Sequence, residues 1–325
     1  MVTEVVIVSM PFVDESTPLA APAVLKSSLQ SNNIKCVALD LNIEIYNKLQ
    51  HRQDRHLFLD FFHHQIIHEN IVDDLVRMLD FYAVEILSHN PAIVGLSLFS
   101  SQTQTFTAWL CAVLRQRAPG IKIVIGGPGL QTLDNSLFKF PDRVKKLGLI
   151  DDYITGDSET SLVEYVRGNL SYPGINSYTW QPNLDFNNLA TPDYSDYRLF
   201  KYEYPTLPIV DSRGCVQDCE FCDVIAFWKK FQYLSAETIF KQMQTYIKTH
   251  NVYRFQFASS ICNGNLKEFK KLLKLISDYN EQVNAQAQIH WVGSFIIRPA
   301  VQHKEELWKL IKKSNGFLLT GVESL

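Results

Sequence analysis

Short apolar runs alternate with helical stretches through the first half of the chain. Each run is rich in Val and Ile without strict polar alternation, which is typical of strands buried on both faces of a parallel sheet. Five such runs occur: Glu4–Ser9, Lys35–Asp40, Ile93–Ser100, Lys122–Ile125 and Asp152–Thr155. Helical spacing in the intervening Ala23–Gln30 and Thr103–Arg117 predicts a βαβ order, and therefore a doubly wound parallel sheet.

A second set of strands and helices follows residue 205. The predicted strands are Leu207–Asp211, Tyr253–Phe257, Ile289–Ser294 and Gly316–Leu319. The predicted helices are Ala236–Thr249, Leu266–Tyr279 and Lys304–Lys313. This order predicts a (βα) barrel, in which catalytic groups lie at the carboxyl ends of the strands. We therefore predict an α/β protein with a Rossmann-like domain at 1–170, a linker at 171–204 and a partial barrel at 205–325.

Two longer segments interrupt this regular order. Asn169–Tyr204 is rich in Asn, Pro, Tyr and Asp, and we predict an ordered connector over the surface of both domains. Ile43–Asn90 holds six of the nine His, yet His63 and His64 point to different faces of a helix. We therefore predict an added pair of surface-packed helices there rather than a metal site.

Charge and composition exclude several classes of function. The 31 basic and 34 acidic residues give a net charge of −3, so bulk charge favours neither a nucleic-acid nor an anionic-membrane partner. The amino terminus lacks the basic region of a signal peptide, and no apolar stretch approaches the ~18 residues of a spanning helix. We expect a cytoplasmic protein in a reducing compartment, where clustered thiols indicate metal or redox chemistry.

Three of the six Cys fall within eight positions. Cys215, Cys219 and Cys222 follow a predicted strand in one loop, and three thiolates on a four-iron cluster leave one iron open for catalysis. A structural zinc site is an alternative that needs a fourth ligand, such as Cys262 or His250. A redox pair at Cys219 and Cys222 is a further alternative, although it leaves Cys215 unused.

The C-x-x-x-C-x-aromatic-C pattern after a strand resembles the radical S-adenosylmethionine (SAM) superfamily. The longer Ser212-Arg-Gly-Cys215 with Cys219-Glu-Phe-Cys222 resembles its cobalamin-binding branch. Further weak motifs follow in the order of that branch: Gly126-Gly-Pro128, Asp152-Tyr-Ile-Thr-Gly-Asp-Ser-Glu159, Thr191-Pro-Asp-Tyr194, Asn263-Gly-Asn265, Trp291-Val-Gly293, Ile297-Arg-Pro299 and Gly321-Val-Glu-Ser324. Radical SAM barrels typically have six strands, and this sequence ends just past the fourth predicted one. We therefore expect a fragment; the alternatives are a partner chain that completes the barrel and a degraded gene product.

The resemblance implies three cofactors. Cys215, Cys219 and Cys222 would hold a four-iron four-sulfur (4Fe–4S) cluster. The residues implied for SAM are Phe221, Ser259, Ser260, Glu323 and Ser324. The residues implied for cobalamin are Ser97, Ser100, Ser101, Gly126, Gly127, Gly156 and Glu159. The first loop lacks the D-x-H-x-x-G motif, so cobalamin would bind without a protein His on cobalt.

The implied activity is reductive cleavage of SAM to a 5′-deoxyadenosyl radical, used for methyl transfer to an unactivated centre. The alternatives are a radical SAM cyclase or rearrangement enzyme, and a non-catalytic corrinoid-binding module with a relic barrel. The implied partners are a small-molecule or natural-product-like substrate and an electron donor such as a flavodoxin or ferredoxin. Neither nucleic acid nor a membrane is expected.

Overall fold

The computed structural model describes residues 4–11, 16–130, 139–178, 186, 189–220, 222, 224–228, 230–297 and 305–321. The chain divides into two compact units. Unit 1 comprises Met1–Glu15, Ala21–Leu184 and Pro192–Lys201, whereas unit 2 comprises Ser16–Ala20, Asp185–Thr191 and Tyr202–Leu325. Residues of the predicted linker 171–204 therefore belong partly to each unit. No helix within the described ranges is both long and apolar enough to cross a bilayer.

Unit 1 is built on a five-stranded parallel sheet with the order β2-β1-β3-β4-β5. Its strands are β1 (Val5–Ser9), β2 (Cys36–Asp40), β3 (Ile93–Ser97), β4 (Lys122–Gly126) and β5 (Asp152–Ile154). Its helices are α1 (Ala20–Ser31), α2 (Leu41–Leu49), α3 (Arg55–His64), α4 (Val72–Ser88), α5 (Gln104–Arg117), α6 (Phe140–Lys146) and α7 (Ser158–Val166). The predicted α/β class and parallel sheet are confirmed, with β3 ending three residues earlier than predicted.

Helices cover both faces of this sheet, which explains why its strands lack polar alternation. Successive β1 residues point to opposite faces. Val6 and Val8 join a core formed with the α2–α5 side. Val5 and Ile7 join a second core that includes residues of α1 and α7. Each strand is therefore apolar on both sides, as expected of a doubly wound sheet.

The insertion between β2 and β3 differs from the predicted pair of surface helices. It contains α2, α3 and α4, and their apolar residues form a large part of the unit 1 core. Phe58, Phe61 and Phe62 are each at most 1% exposed. The sequence did not indicate that these helices belong to the core, because polar and His residues occupy their outer faces. One of those His, His68, lies 2.8 Å from Asp60 through its Nε2 atom.

The segment Pro192–Lys201 is embedded in unit 1 rather than lying over the surface. Tyr194 and Tyr197 are buried. Lys26 of α1 is also buried, and its Nζ lies 3.1 Å from Asp193 Oδ2 and 2.7 Å from Asp196 Oδ2. Asp196 Oδ2 also accepts a hydrogen bond from the backbone N–H of Ala38 on edge strand β2. These contacts hold the connector against α1 and protect one edge of the sheet.

Unit 2 contains a four-stranded parallel sheet with the order β11-β10-β9-β6 and a two-stranded antiparallel ribbon. The sheet strands are β6 (Thr206–Ile209), β9 (Arg254–Phe257), β10 (His290–Ser294) and β11 (Gly316–Leu319), and the ribbon strands are β7 (Ser212–Arg213) and β8 (Gln232–Tyr233). The helices are α8 (Val224–Phe227), α9 (Ala236–His250), α10 (Leu266–Asn280) and α11 (Glu305–Lys313). Each of the four strands predicted in this half is present, and closure of a barrel stays a prediction.

Side-chain caps fix where the unit 2 helices begin. Ser235 accepts the backbone N–H of Thr238 at the start of α9, and Asn265 accepts that of Glu268 at the start of α10. Both helices bury an apolar face, which α10 forms with Phe269, Leu272, Leu273 and Ile276. The helices therefore pack on one face of the sheet, and the strands carry their carboxyl-end loops to a common rim.

Candidate functional site at the cysteine loop

The cysteine loop is closed at its base by the β7–β8 ribbon. Ser212 pairs with Tyr233 and Arg213 with Gln232, so residues 214–231 leave and return at neighbouring positions. Gly214 has a φ of +76°, and a Cβ there would lie 2.8 Å from the carbonyl oxygen of Lys230. Glycine is required by this close approach, which explains its place before the first Cys.

The three thiols of the loop are reduced and accessible. Cys215 and Cys222 are half-buried, and Cys219 is exposed. The backbone N–H of Gln217 donates to Cys215 Sγ at 3.4 Å, and that of Cys222 donates to the carbonyl of Cys219 at 3.0 Å. In the part of the chain that the structure describes, no group of three His, Cys, Asp or Glu is arranged around a metal position. As a donor set, three free thiols with an N–H directed at sulfur fit an iron–sulfur cluster.

The ribbon rests on the loop that follows β9. Gly264 lies beneath the ring of Phe231, and a Cβ at that position would lie 2.3 Å from its Cζ. Tyr233 donates its hydroxyl to the carbonyl of Cys262. Asn263 is 1% exposed and exchanges two hydrogen bonds with the backbone of Ile296 after β10. These contacts join the cysteine loop to the carboxyl ends of β9 and β10.

Asp211 is a buried acid that sequence reasoning did not single out. It lies between β6 and β7 and is 0% exposed. Ser259 donates its hydroxyl to Asp211 Oδ2 at 3.0 Å. Burial raises the pKa of this carboxyl to about 7, against opposing hydrogen bonds from Ser259 and Ser212. An acid at the end of an apolar run was the available signal.

The predicted SAM residues are only partly within the described ranges. Ser259 is half-buried and Ser260 exposed, both directly after β9. Phe221, Glu323 and Ser324 lie outside the described residues. Cys262, the alternative zinc ligand, is fully buried, with its Sγ packed beside Gly293. Burial raises the pKa of its thiol, and Asp211 adds to that rise.

The predicted cobalamin residues lie at the carboxyl ends of the unit 1 strands. Ser97 is buried, whereas Ser100 and Ser101 are half-buried at the start of the helical segment before α5. Ser100 accepts the backbone N–H of Gln102. Gly156 is exposed, but Glu159 is only 4% exposed within α7. The strand order reverses between β1 and β3, where ligands of such sheets commonly bind.

The glycines after β4 lie against the loop that follows β3. A Cβ at Gly127 would lie 2.2 Å from the carbonyl oxygen of Leu98, and one at Gly129 would lie 2.6 Å from Ser100. Leu98 and the glycine loop also exchange backbone hydrogen bonds. The approach that demands glycine is therefore made by the chain's own β3 loop, which fixes the rim around Ser97 and Ser100.

No protein-family model and no curated protein matches the sequence. Among solved structures, the radical SAM methyltransferase TsrM from Kitasatospora setae, with cobalamin and a [4Fe–4S] cluster bound, matches 99% of this chain with a TM-score of 0.69. The chain shares the fold of TsrM. Sequence identity is 15%, and the match spans 61% of TsrM. TsrM with tryptophan and a SAM analogue bound gives a TM-score of 0.66 at 15% identity, over 98% of this chain and 59% of TsrM.

A second enzyme shares this fold. The cobalamin-dependent SAM radical enzyme OxsB, with aqua-cobalamin and SAM bound, matches 99% of this chain at a TM-score of 0.65 and 15% identity. The match spans 44% of OxsB. The likeness establishes the succession of a parallel α/β unit and a second parallel βα unit. The chain is shorter than both enzymes, covering about three fifths of TsrM and under half of OxsB.

Proposed function

We propose that this chain is a cobalamin-dependent radical SAM enzyme that transfers a methyl group to an unactivated centre of a small molecule. The observation that carries the proposal is the cysteine loop, with three reduced thiols held by a ribbon beside the carboxyl ends of parallel strands. The fold shared with TsrM over 99% of the chain supports it.

Cys215, Cys219 and Cys222 would hold the 4Fe–4S cluster. When bound, that cluster supplies the electron that cleaves SAM to methionine and a 5′-deoxyadenosyl radical. The N–H of Gln217 would donate to the sulfur of Cys215, as it does in the structure, and such hydrogen bonds tune the potential of a cluster. The residues that would contact SAM are Phe221 in the cysteine loop, Ser259 and Ser260 after β9, and Glu323 and Ser324 near the carboxyl terminus.

Cobalamin would bind at the rim of unit 1, where the strand order reverses. The residues that support this are at the ends of β3, β4 and β5: Ser97, Ser100, Ser101, Gly126, Gly127 and Gly156. Glu159 lies within α7 and its side chain is buried, so it would support the cobalamin site from inside unit 1. The first loop carries no His, so cobalt would have no protein imidazole ligand. A flavodoxin or ferredoxin would supply electrons, and cytoplasmic placement suits the reduced thiols.

Anaerobic reconstitution with iron and sulfide tests the cluster. We expect about four irons per chain and a brown chromophore, as three-Cys ligation of such a cluster requires. Cys215→Ala should lose most of the iron. Cys262→Ala is the matched control, because Cys262 is buried after β9 and lies outside the loop. Equal iron in the wild type and Cys215→Ala would contradict the assignment, and stoichiometric zinc would favour a structural metal site.

SAM cleavage and cobalamin binding separate the remaining possibilities. With dithionite and SAM, the reconstituted chain should form 5′-deoxyadenosine, and cobalamin should bind with a spectrum lacking a His ligand. Bound cobalamin without any 5′-deoxyadenosine would instead indicate a corrinoid-binding module. Transfer of the labelled methyl group of SAM to a product would distinguish methyl transfer from cyclisation or rearrangement.

A further inference from the structure

Arg254 and His290 are neighbours at the amino-terminal edge of the unit 2 sheet. They are register partners on the adjacent parallel strands β9 and β10. The next residues of the two strands, Phe255 and Trp291, are buried, and Trp291 packs edge-on against Phe269 of α10. Since successive strand residues point to opposite faces, Arg254 and His290 lie together on the face turned away from the helices, and both are exposed.

Two cationic side chains in register form a repulsive pair on a sheet. Neighbouring strands are about 5 Å apart, and like charges directly opposite each other are destabilising. The pKa of His290 is lowered by partial burial of its ring and by the positive charge of Arg254. Among the described residues no other charged group acts on this pKa, so no carboxylate offsets the pair.

The residues around the pair supply no negative charge to it. On its other side Arg254 is in register with Thr206 of β6, whose hydroxyl is uncharged. Glu203 is the nearest acid in sequence before β6 and is exposed. Within the described ranges, neither Arg254 nor Glu203 takes part in an ion pair. The edge therefore offers hydrogen-bond donors and positive charge to any anion that reaches it.

Tyr204 orients the guanidinium of Arg254. The guanidinium carbon lies 5.4 Å from the centre of the Tyr204 ring, a distance at which a cation is attracted to the face of an aromatic ring. This contact gives the N–H groups of Arg254 no acceptor, so they stay available to a ligand. A guanidinium that is already oriented loses less side-chain entropy when an oxyanion binds its fork of N–H groups.

We propose that Arg254 and His290 form a binding site for a phosphate group, carried by the free ion or by a phosphomonoester. Arg254 donates a pair of N–H groups to two phosphate oxygens, and protonated His290 donates to another from the neighbouring strand. A phosphate suits this arrangement better than a carboxylate, because its additional oxygen accepts from the second strand at the same time. The bound anion also removes the repulsion between the two cations.

The site lies at the end of the strands opposite to the cysteine loop. A parallel strand rises about 3.3 Å per residue, so the length of β9 from Arg254 to Phe257 separates the site from the carboxyl-end loops by roughly 10 Å. A ligand there contacts neither the thiols nor the residues proposed for SAM. The inference therefore goes beyond the proposed function and does not depend on it.

Isothermal titration of the full, reduced chain with inorganic phosphate tests the site. The titration is made at pH 6 with the ionic strength held constant by chloride, because screening changes with salt. Arg254→Gln should raise the Kd for phosphate about tenfold and His290→Ala about fivefold, as the loss of charge-assisted hydrogen bonds implies. Arg143→Gln, which removes an exposed Arg of α6, is the matched control and should leave the Kd unchanged.

Two substitutions of Tyr204 test its part as a positioning residue. Tyr204→Phe keeps the aromatic ring beneath Arg254 and should bind phosphate as the wild type does. Tyr204→Leu removes the ring and should raise the Kd about threefold, the value of an exposed cation–π contact. Equal Kd values for the Phe and Leu variants would contradict the orienting role of the ring.

The pKa of His290, measured by NMR on chain with labelled His, separates a binding site from a general effect of charge. Arg254→Gln should raise the pKa of His290 in phosphate-free buffer, because the neighbouring cation is gone. Saturating phosphate should raise it in the wild type and leave it unchanged in Arg254→Gln. His68, which lies beside Asp60 in unit 1, is the internal control, and phosphate should not change its pKa.

The ligand class is tested with methyl phosphate and acetate. Methyl phosphate that binds more tightly than inorganic phosphate supports a phosphomonoester ligand, and the reverse order supports the free ion. Acetate that binds as tightly as phosphate would overturn the phosphate assignment. A pKa of His290 that does not respond to phosphate, or equal Kd values for the wild type and His290→Ala, would overturn the site itself, also in the event that Arg254→Gln does not fold.

Discussion

Replacing Asp211 with Asn should change how the stability of unit 2 depends on pH. The carboxyl is wholly buried, and burial raises its pKa to about 7. In the unfolded chain an Asp titrates at about 3.9. The folded state therefore binds this proton more tightly than the unfolded state, and stability falls as pH rises between the two values. Asn has no such proton and shows no such loss.

The size of the effect follows from the difference between the two pKa values. About three pH units at about 1.4 kcal/mol each amount to about 4 kcal/mol. The wild-type contribution is fully present below about pH 4, where both states are protonated, and is lost as pH passes through about 7. The free energy of unfolding of the wild type minus that of Asp211→Asn should thus fall by about 4 kcal/mol between pH 4 and pH 8.

Urea unfolding of the metal-free, reduced chain measures this difference at half-unit steps from pH 4.5 to 8.5. Trp291 is 2% exposed on β10 of unit 2. Hydrogen exchange of the β10 amides therefore reports on unit 2, whereas tryptophan fluorescence also contains the signal of Trp109 in unit 1. Asp278→Asn, on the exposed face of α10, should leave the pH profile unchanged. Parallel profiles for the wild type and Asp211→Asn would refute the reasoning, because they would show that Asp211 has the same pKa in both states.

Two further substitutions test the contacts that hold each unit together. Lys26→Met leaves Asp193 and Asp196 without their buried partner and should lower the free energy of unfolding by about 3 kcal/mol. The control Lys35→Met, at an exposed position, should change it by less than about 0.5 kcal/mol, and equal losses for the two variants would contradict a stabilising role of the Lys26 ion pairs. Gly264→Ala places a Cβ 2.3 Å from the ring of Phe231; it should lower the free energy of unfolding by about 1–3 kcal/mol and reduce the iron bound after reconstitution. Adding Phe231→Leu should restore both the stability and the iron content if the ring of Phe231 is the obstacle.

The strands and the cysteine loop could be predicted because each depends on residues close in sequence. A strand buried on both faces needs a continuous apolar run, and β1 consists of Val5–Ser9 with core on either side. Three Cys spaced within one loop likewise need no distant residue to be recognised. Strand ends depend on more distant residues: the apolar run Ile93–Ser100 continues beyond β3, because Leu98 leaves the strand and packs against Gly127.

The reason for glycine at positions 127 and 129 could not be predicted, because it depends on contacts with residues distant in the sequence. Gly127 and Gly129 look the same whether a ligand or another loop approaches them, and in the structure the approach comes from Leu98 and Ser100. The role of those glycines is therefore to hold the β3 loop in place. A ligand at this rim would meet a fixed loop rather than bare glycine backbone.

A charged residue within an apolar pattern indicates a buried charge, and Lys26 and Asp211 are two such residues. Lys26 lies three residues from Ala23 and from Leu29 on the buried face of α1, and Asp211 follows the apolar run of β6. A buried charge needs either a partner or a shifted pKa, so a charged residue at a buried position predicts a polar partner nearby. It does not predict which residue, because Ser259 lies 48 positions away.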